Sequence, residues 1–373
     1  MPKAYDIAVL GATAAGYASA LMLARSGHSA VVLDTPASPT ESPLCDWLPA
    51  DVLRVCPPLK SLAPTATDGP FRTVRFHSAD LARQAEYKRR TPAGYLLRSA
   101  RFLGALDRAA RKAGVRRLRS AGPAELDLRE KAVEIRIGTR ALRASLLLIA
   151  QDSPAEVIGR LHLPTRTVPT GKLSVCGLDV PLPRGGVPEA LPGALHAVAV
   201  GGQERLGMFF VAGGLLHVRI LSAEPAPPAG AKALGELIGN LQGAGLLPEK
   251  LSLSRAVAAV WRPPGGVALE LETHLAKRTL LVGTAGGFAS ATTGQTLDPS
   301  VRSARVAAGI AEKALRAAQP QDALAEYKNQ WRNALADRIR PTGTSLQMLM
   351  PMVLANQAMT TRFAKALLYG ESL

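Results

Sequence analysis

The alternation of apolar and polar positions predicts a strand–helix–strand unit at the start of the chain. Residues 7–10 form a short apolar run, and residues 14–25 carry apolar side chains with helical spacing. Gly11 lies between these two runs, where the backbone has to turn. A second apolar run over residues 30–33 ends on Asp34. The pattern is that of a βαβ unit, which is the building block of a parallel sheet.

The turn of this unit carries a degenerate form of the motif G-x-G-x-x-G, because Thr13 stands in place of the middle glycine. Free N–H groups and the dipole at a helix N-terminus favour a phosphate, and an acidic residue ending the second strand is placed to bind a ribose hydroxyl. The motif therefore predicts a dinucleotide site whose residues are Gly11, Thr13, Ala14, Ala15, Gly16 and Asp34. Thr13 crowds a pyrophosphate, so the alternative is a βαβ unit that keeps its packing glycines without a nucleotide.

The rest of the chain alternates between helical and strand patterns. Strands are predicted at 73–77, 133–137, 142–149 and 278–282, helices at 99–113, near 232–241 and after 294, and loops at 57–72 and 223–230. Short apolar runs at 195–200, 208–211 and 215–221, and a strand near 251–260, predict an antiparallel sheet inserted into the first domain. Residues 321–373 are predicted to be helical, with breaks at 341–343 and Pro351.

Composition narrows the class of protein. The chain has 373 residues, 47% of them hydrophobic, and a net charge of +16. This charge suits a phosphate-bearing cofactor, an anionic membrane surface or nucleic acid, but aromatic residues make up only 4% and no nucleic-acid module is recognisable. The three cysteines lack metal-ligand spacing and suit a reducing cytoplasm, and no signal peptide or membrane-spanning run is apparent. We expect a cytoplasmic protein without a metal cluster.

The order of elements resembles the flavoproteins of the p-hydroxybenzoate hydroxylase fold, most closely their geranylgeranyl reductase branch. The late run Gly283–Phe288 is similar to the family's G-D-A-A-G-F turn. The resemblance implies an α/β fold: a Rossmann-like FAD-binding domain with an inserted antiparallel-sheet substrate domain and C-terminal helices. We assign 1–72, 91–160 and 271–325 to the FAD-binding domain, 73–90 and 161–270 to the substrate domain, and 326–373 to the C-terminal helical segment.

The resemblance also implies further FAD contacts. Cys45 lies in a stretch similar to the branch's cysteine-containing segment near the isoalloxazine, and Asp152 matches the aspartate of an A-D-G signature. Thr284 stands where the family's aspartate binds the ribityl chain, and a threonine lacks a carboxylate's two oxygens. The helix after Gly294 is expected to face the flavin's pyrimidine edge. The residues added in this way are Cys45, Arg98, Asp152, Gly283, Thr284, Gly287, Gly294, Gln295 and Thr296.

The resemblance implies an FAD-dependent oxidoreductase that acts on an apolar or aromatic small molecule, with NAD(P)H as a transient reductant. The run at 207–211 lacks the reductase branch's tyrosine–tryptophan–phenylalanine–proline signature, which favours a monooxygenase-type reaction while leaving double-bond reduction open. Because Thr13 and Thr284 weaken two flavin contacts, a non-catalytic scaffold with weak or absent FAD binding is the alternative. A plain NAD dehydrogenase is disfavoured because it has no place for the late glycine turn.

Three other features have competing interpretations. His217 lies on an apolar strand, where it faces either substrate or a hydrogen-bonded core, and His77 is expected at the surface. The methionine-rich stretch 346–354 lines a lipophilic tunnel, touches a membrane surface, or packs the closing helices against the inserted sheet. The sequence assigns no catalytic residue and no oligomeric state.

Overall fold

The computed structural model describes residues 3–163, 165, 173–183, 188–189, 191–200, 205–223, 227–249 and 251–371, with the backbone alone at 227–230. The described strands are β1 (Lys3–Leu10), β2 (Ala30–Asp34), β3 (Cys45–Pro49), β4 (Gly69–Phe71), β5 (Thr73–His77), β6 (Gln84–Lys88), β7 (Gly94–Arg98), β8 (Arg116–Arg119), β9 (Glu125–Leu128), β10 (Val133–Ile137), β11 (Arg140–Ile149), β12 (Ser174–Pro181), β13 (Ala194–Val200), β14 (Arg205–Ala212), β15 (Leu215–Ser222), β16 (Val257–Trp261), β17 (Leu275–Ala276) and β18 (Thr279–Leu281).

Helices connect and cover these strands. The described helices are α1 (Ala14–Arg25), α2 (Val52–Val55), α3 (Pro57–Ala66), α4 (Ser99–Lys112), α5 (Pro154–Leu161), α6 (Pro227–Gly243), α7 (Val267–Glu270), α8 (Leu297–Arg316), α9 (Pro320–Ala325), α10 (Tyr327–Ile339), α11 (Leu346–Ala355) and α12 (Gln357–Tyr369). Short 3₁₀ turns occur at Leu253–Arg255 and Gly283–Gly286. In the described part of the chain, no helix is long and apolar enough to cross a membrane.

The first sheet has the strand order β17-β18-β11-β1-β2-β8, and β1 lies at its centre with parallel neighbours on both sides. Residues 7–10 of β1 are completely buried, as a continuous apolar run in a parallel sheet requires. Helices α1, α4, α8 and α10 contribute to one core on this sheet. The predicted βαβ unit and the strand at 142–149 are therefore confirmed.

The second sheet has the order β16-β12-β15-β14-β13-β5-β6, so strands from residues 73–88 join strands from residues 174–261. All its pairs are antiparallel except β5 with β13, which runs parallel and departs from the all-antiparallel prediction. The third sheet, β3-β7-β4, is antiparallel, and its apolar residues share a core with the second sheet and the C-terminal helices. The predicted mixed α/β fold is confirmed.

Three local predictions differ from the structure. Helix α3 forms where a loop was expected, since Pro57 and Pro58 lie in its first turn, where the missing N–H costs nothing. Helix α11 continues through Pro351 instead of breaking there. Near 251–260 a 3₁₀ turn precedes a short strand. Residues 224–226 of the loop predicted at 223–230 lie outside the described residues, and α6 already begins at residue 227.

Candidate functional site

The two glycine-rich turns lie against each other at the carboxyl end of the first sheet. Gly11 adopts φ +123°, and a Cβ on it would lie 2.8 Å from the Cβ of Gln151. A Cβ on Gly283, which has φ +56°, would lie 2.7 Å from the Cβ of Ala15. A Cβ on Gly16 would lie only 2.0 Å from the Gly11 carbonyl oxygen. The structure brings the predicted turns together, and close packing within the chain is enough to require these glycines.

Thr13 is the N-cap of helix α1. Its hydroxyl accepts a hydrogen bond from the Gly16 N–H at 3.2 Å and donates one to the Ala150 carbonyl at 2.9 Å. The residue that replaces the middle glycine therefore engages one of the N–H groups that a phosphate at this helix end would use. Ala14 and Ala15, the next two predicted contacts, have no exposed surface.

A carboxylate of the chain itself lies at the N-terminus of α1. Glu41 lies close enough to the Ala14 N–H for that group to lower its pKa, and it accepts a hydrogen bond, at 3.4 Å, from the Ser300 hydroxyl. Burial nevertheless raises the pKa of the Glu41 carboxyl to about 7, and the nearby Asp46 adds to the rise. A helix N-terminus favours an anion, and Glu41 occupies that position.

Residues 36–42, termed here the groove segment, run across the space next to the two turns. The Thr40 hydroxyl donates to the Thr284 hydroxyl at 2.9 Å, and the side chains are 5% and 0% exposed. The Arg262 N–H donates to the Pro39 carbonyl at 3.0 Å, which ties the segment to the end of the second sheet. Thr284, which the sequence predicts to lie at the ribityl chain, therefore already has a hydrogen-bond partner within the chain.

Two aspartates that the sequence assigned to FAD are ion-paired. The Oδ2 atom of Asp34 lies 2.6 Å from Arg117 Nη2 and 3.1 Å from Arg119 Nε, both on the neighbouring strand β8. The Oδ2 atom of Asp152 lies 2.7 Å from Arg160 Nη2 on α5. Both guanidinium contacts of Asp34 use Oδ2, so its Oδ1 atom can still accept a hydrogen bond from a ribose hydroxyl.

The turn before α8 also contacts protein atoms closely. The Gln295 side-chain amide donates to the Trp47 carbonyl at 2.7 Å. A Cβ on Gly294 would lie 2.8 Å from Leu221 Cδ1, so the second sheet packs directly onto this turn. Gln295 is 3% exposed and Thr296 is 1% exposed. The N-terminus of α8 is thus covered by the chain itself.

Gly287 and Arg98 make intramolecular contacts as well. A Cβ on Gly287, which has φ +76°, would lie 2.5 Å from the backbone nitrogen of Ala268. Arg98 Nη2 lies 2.8 Å from Asp68 Oδ1, and the Arg98 N–H donates to the same carboxylate. Close packing explains why residue 287 is a glycine, and the ion pair with Asp68 explains the position of the Arg98 side chain.

Cys45 belongs to a buried polar cluster between the third and second sheets. Its N–H donates to Asp179 Oδ2 at 2.9 Å, and Asp179 Oδ1 lies 2.6 Å from His217 Nδ1. Asp46 Oδ1 lies 3.1 Å from Arg219 Nη1 in the same cluster. Burial raises the pKa of the Cys45 thiol and lowers the pKa of the His217 imidazole. The thiol is therefore held in its unreactive protonated form, and of the two interpretations of His217 the hydrogen-bonded core histidine is confirmed.

His77 is buried, so its predicted surface position was wrong. It is 1% exposed, and its Nε2 lies 3.0 Å from His196 Nδ1, with Phe209 stacked on the His196 ring and tilted against the His77 ring. The reason is that β5 is an inner strand of the second sheet, with β13 and β6 on either side. Burial lowers the pKa of the His77 imidazole to about 4.

The exposure of the predicted residues tests whether FAD has room, because atoms that line an open groove are in contact with water. Cys45 and Thr284 are 0% exposed, whereas Thr13 and Asp34 keep part of their surface exposed. The groove segment and Glu41 lie where the helix N-terminus would meet a pyrophosphate. The residues present therefore do not fit FAD in this conformation, and binding would require the groove segment to move away. The assignment of the predicted residues to FAD stays a prediction.

Sequence reasoning missed Glu41, Arg117 and Asp179. Glu41 lies in a turn-rich stretch, and its only local signal is a carboxylate among small residues and prolines. Asp179 lies 134 positions from Cys45, so no local pattern links the two. Thr13 did carry a usable signal, since threonine is a preferred N-cap residue.

No protein-family model matches this sequence, and no curated protein matches it. Solved structures do match it. A geranylgeranyl bacteriochlorophyll reductase-like protein from Thermoplasma acidophilum has a TM-score of 0.79 at 15% identity, covering 100% of this chain and 98% of that one. A p-nitrophenol 4-monooxygenase from Pseudomonas putida has a TM-score of 0.70 at 16% identity, covering 98% and 94%. A flavoprotein/dehydrogenase from Cytophaga hutchinsonii has a TM-score of 0.70 at 14% identity, covering 98% and 93%.

The chain has the fold of the FAD-dependent monooxygenases and reductases. The similarity extends over the whole chain, so the flavoprotein fold includes the second sheet and the C-terminal helices. At this level of identity the comparison identifies the fold, as the resemblance in the sequence implied. The chemistry has to be argued from the groove.

Proposed function

We propose that this chain is a non-catalytic protein with a flavoprotein fold, one that binds FAD weakly or not at all and acts through another ligand or a partner. The observation that carries the proposal is Glu41 at the N-terminus of α1, where a dinucleotide pyrophosphate would need the same N–H groups. A pyrophosphate at that position would have to displace Glu41, and above pH 7, where this carboxyl is ionised, the carboxylate would also repel it.

Two further contacts support the proposal. Thr13 caps the helix, and Thr284 is bonded to Thr40. Each takes up a polar group that the cofactor's phosphates or ribityl chain would otherwise satisfy. Because all these partners lie within one chain, they act at high effective concentration and compete efficiently with a soluble ligand.

The flavin content of the purified full-length chain tests the proposal. We expect a colourless protein that unfolds cooperatively, releases well below one FAD per chain on denaturation, and does not retain FAD after incubation and gel filtration. A flavoprotein monooxygenase of the same fold, purified in parallel, is the positive control. A yellow preparation with one FAD per chain would contradict the proposal.

A second candidate function is favoured by the two turns, which still meet at the carboxyl end of the first sheet. On this alternative the chain is an FAD-dependent oxidoreductase whose groove segment moves aside to admit FAD. It would be a monooxygenase-type enzyme using transient NAD(P)H on an apolar or aromatic small molecule, with geranylgeranyl-reductase-like double-bond reduction as the other reaction. It would work in the cytoplasm, with peripheral membrane contact through the exposed Met348 and Met352.

The two candidates differ in reductant consumption. The second requires that FAD-reconstituted protein oxidise NADPH faster when an apolar or aromatic substrate is added. Product analysis for inserted oxygen then separates hydroxylation from double-bond reduction. No stimulation by any substrate, with FAD absent from the protein, supports the non-catalytic proposal.

A further inference from the structure

A cavity of about 980 Å³ opens between helices α2 and α3, the start of α4, and strands β4 and β7. None of the residues that the sequence assigned to FAD is among the described residues lining it. Its volume is at the upper end of the range of about 300–1,000 Å³ that is usual for small-molecule sites. The fold therefore has room for a ligand at a place that is separate from the filled groove.

Two cationic side chains at the cavity have no charge partner. Arg54 and Lys60 line it, both are exposed, and neither forms an ion pair or a side-chain hydrogen bond with the described residues. Many arginines elsewhere in the chain are paired, as Arg117 and Arg160 are. Cations left without partners at the mouth of a cavity attract an anion.

The carboxylate lining the cavity does not cancel this charge. The Asp68 side chain is 1% exposed, and its Oδ1 lies 2.8 Å from Arg98 Nη2 and 2.7 Å from Arg101 Nη1. Burial opposes ionisation of Asp68, but hydrogen bonds from Arg98 and Arg101 outweigh it and hold the pKa of this carboxyl below its ordinary value. Asp68 is thus ionised and shared by two guanidinium groups, and the cavity keeps a net positive charge.

The remaining wall is largely apolar. Leu53 from α2, Ala63 and Pro64 from α3, and Pro70 from β4 line it, together with the ring of Tyr95 from β7. Such a wall suits a hydrocarbon or aromatic body, since apolar burial contributes about 25 cal/mol per Å². The exposed cations can bind the charged head of an amphipathic anion, and the apolar wall can bind its body.

We propose that this cavity binds an anionic amphiphile: a small molecule with a carboxylate or phosphate head at Arg54 and Lys60 and an apolar body against Leu53 and Tyr95. A volume of about 980 Å³, within the range usual for small-molecule sites, favours a single small molecule over a flat surface such as a membrane. The site shares no residue with the groove between the glycine turns, so its test and the flavin test can fail independently.

Isothermal titration of the full-length chain with dodecanoate and with dodecyl phosphate, each kept monomeric, tests the proposal. We expect saturable binding of one molecule per chain that weakens as salt is added, because the head contacts exposed cations. The charge reversals Arg54→Glu and Lys60→Glu together should weaken binding by about tenfold or more. The probe that binds more tightly shows whether the site prefers a carboxylate or a phosphate head group.

The matched control is Arg108→Glu, which reverses an exposed arginine at a neighbouring basic cavity lined by Arg25 and Lys112. We expect it to change the affinity by less than about twofold, since it lies outside the proposed site. A second variant, Ala50→Trp, fills the cavity without changing charge and should abolish binding, with circular dichroism confirming its fold.

Three results would overturn the proposal. The first is that neither probe gives saturable binding. The second is that Arg108→Glu weakens binding as much as the double reversal does. The third is that the protein binds vesicles containing anionic phospholipid and neither monomeric probe competes, which would identify a membrane surface in place of a small-molecule site.

Discussion

The groove between the glycine turns has the motif of a binding site but an occupied helix N-terminus, whereas the cavity beside α3 has free charged groups without a motif. The groove keeps the backbone of a nucleotide site, yet its helix N-terminus is capped by Thr13 and occupied by Glu41. The cavity has no nucleotide motif, yet it offers space and the unpaired charges of Arg54 and Lys60. Unsatisfied polar groups and free volume mark a binding site better than a motif does.

The glycines illustrate why the motif is a weak guide. Gly11, Gly16, Gly283 and Gly287 each lie so close to other atoms that a Cβ would approach within 2.8 Å. Packing of α1 and the late turn on the first sheet is enough to require them. A chain that no longer bound a dinucleotide would still have to keep these glycines, so their presence does not report on the cofactor.

The largest loss of stability is expected for the substitution Gly16→Ala. Its Cβ would lie 2.0 Å from the Gly11 carbonyl oxygen, and backbone cannot yield as a side chain can. We expect a loss of about 3 kcal/mol or more in the free energy of unfolding, with or without added FAD. Denaturant unfolding followed by circular dichroism measures it.

Gly235→Ala is the matched control for this substitution. Gly235 is exposed on α6, and a Cβ there meets nothing within 4 Å. Helix propensity should make this variant more stable by up to about 1 kcal/mol. Equal effects at Gly16 and Gly235 would contradict the packing explanation of the motif.

A smaller change in stability, which depends on pH, is expected for the substitution Glu41→Gln. The carboxyl has a pKa of about 7 in the folded chain against an ordinary value of 4.5, so the folded state binds the proton more tightly than the unfolded state. Wild-type stability therefore falls as pH rises from about 4.5 to 7, and the glutamine variant lacks this loss. Above pH 7 the variant should be the more stable by about 2 kcal/mol.

Unfolding midpoints of both proteins between pH 5 and pH 8, about the range in which a shifted carboxyl titrates, measure this difference. Glu236→Gln, an exposed substitution on α6, should give a difference that stays constant over the same range. A constant difference at Glu41 as well would show that its carboxyl is not buried at the helix N-terminus.

Most of the fold could be predicted because its signals are local. The apolar run of β1, the spacing in α1 and the strand at 73–77 each depend on a few adjacent residues. Helix α3 was missed since its prolines favour a loop, although at Pro57 the missing N–H costs nothing. The parallel pairing of β5 with β13 joins strands far apart in the chain, which a local pattern cannot specify.

The state of the groove could not be predicted for a physical reason. Sequence reasoning found Thr13 and Thr284 to be departures from the motif, and both departures matter in the structure. Thr13 bonds to Ala150, 137 positions away, and Thr284 bonds to Thr40, 244 positions away, so neither partner could be found from the neighbouring residues. A missing ligand contact can be read from the sequence, whereas the group that replaces it depends on tertiary structure.

The central claim is that the chain itself fills the groove, and an FAD titration tests it most directly. The wild-type chain is compared with a triple variant carrying Thr13→Gly, Glu41→Ala and Thr284→Asp, each checked for cooperative unfolding. We predict that wild-type binding stays weaker than about 100 µM and that the triple variant binds at least about tenfold more tightly. Submicromolar binding by the wild type, with no gain in the triple variant, would contradict the account.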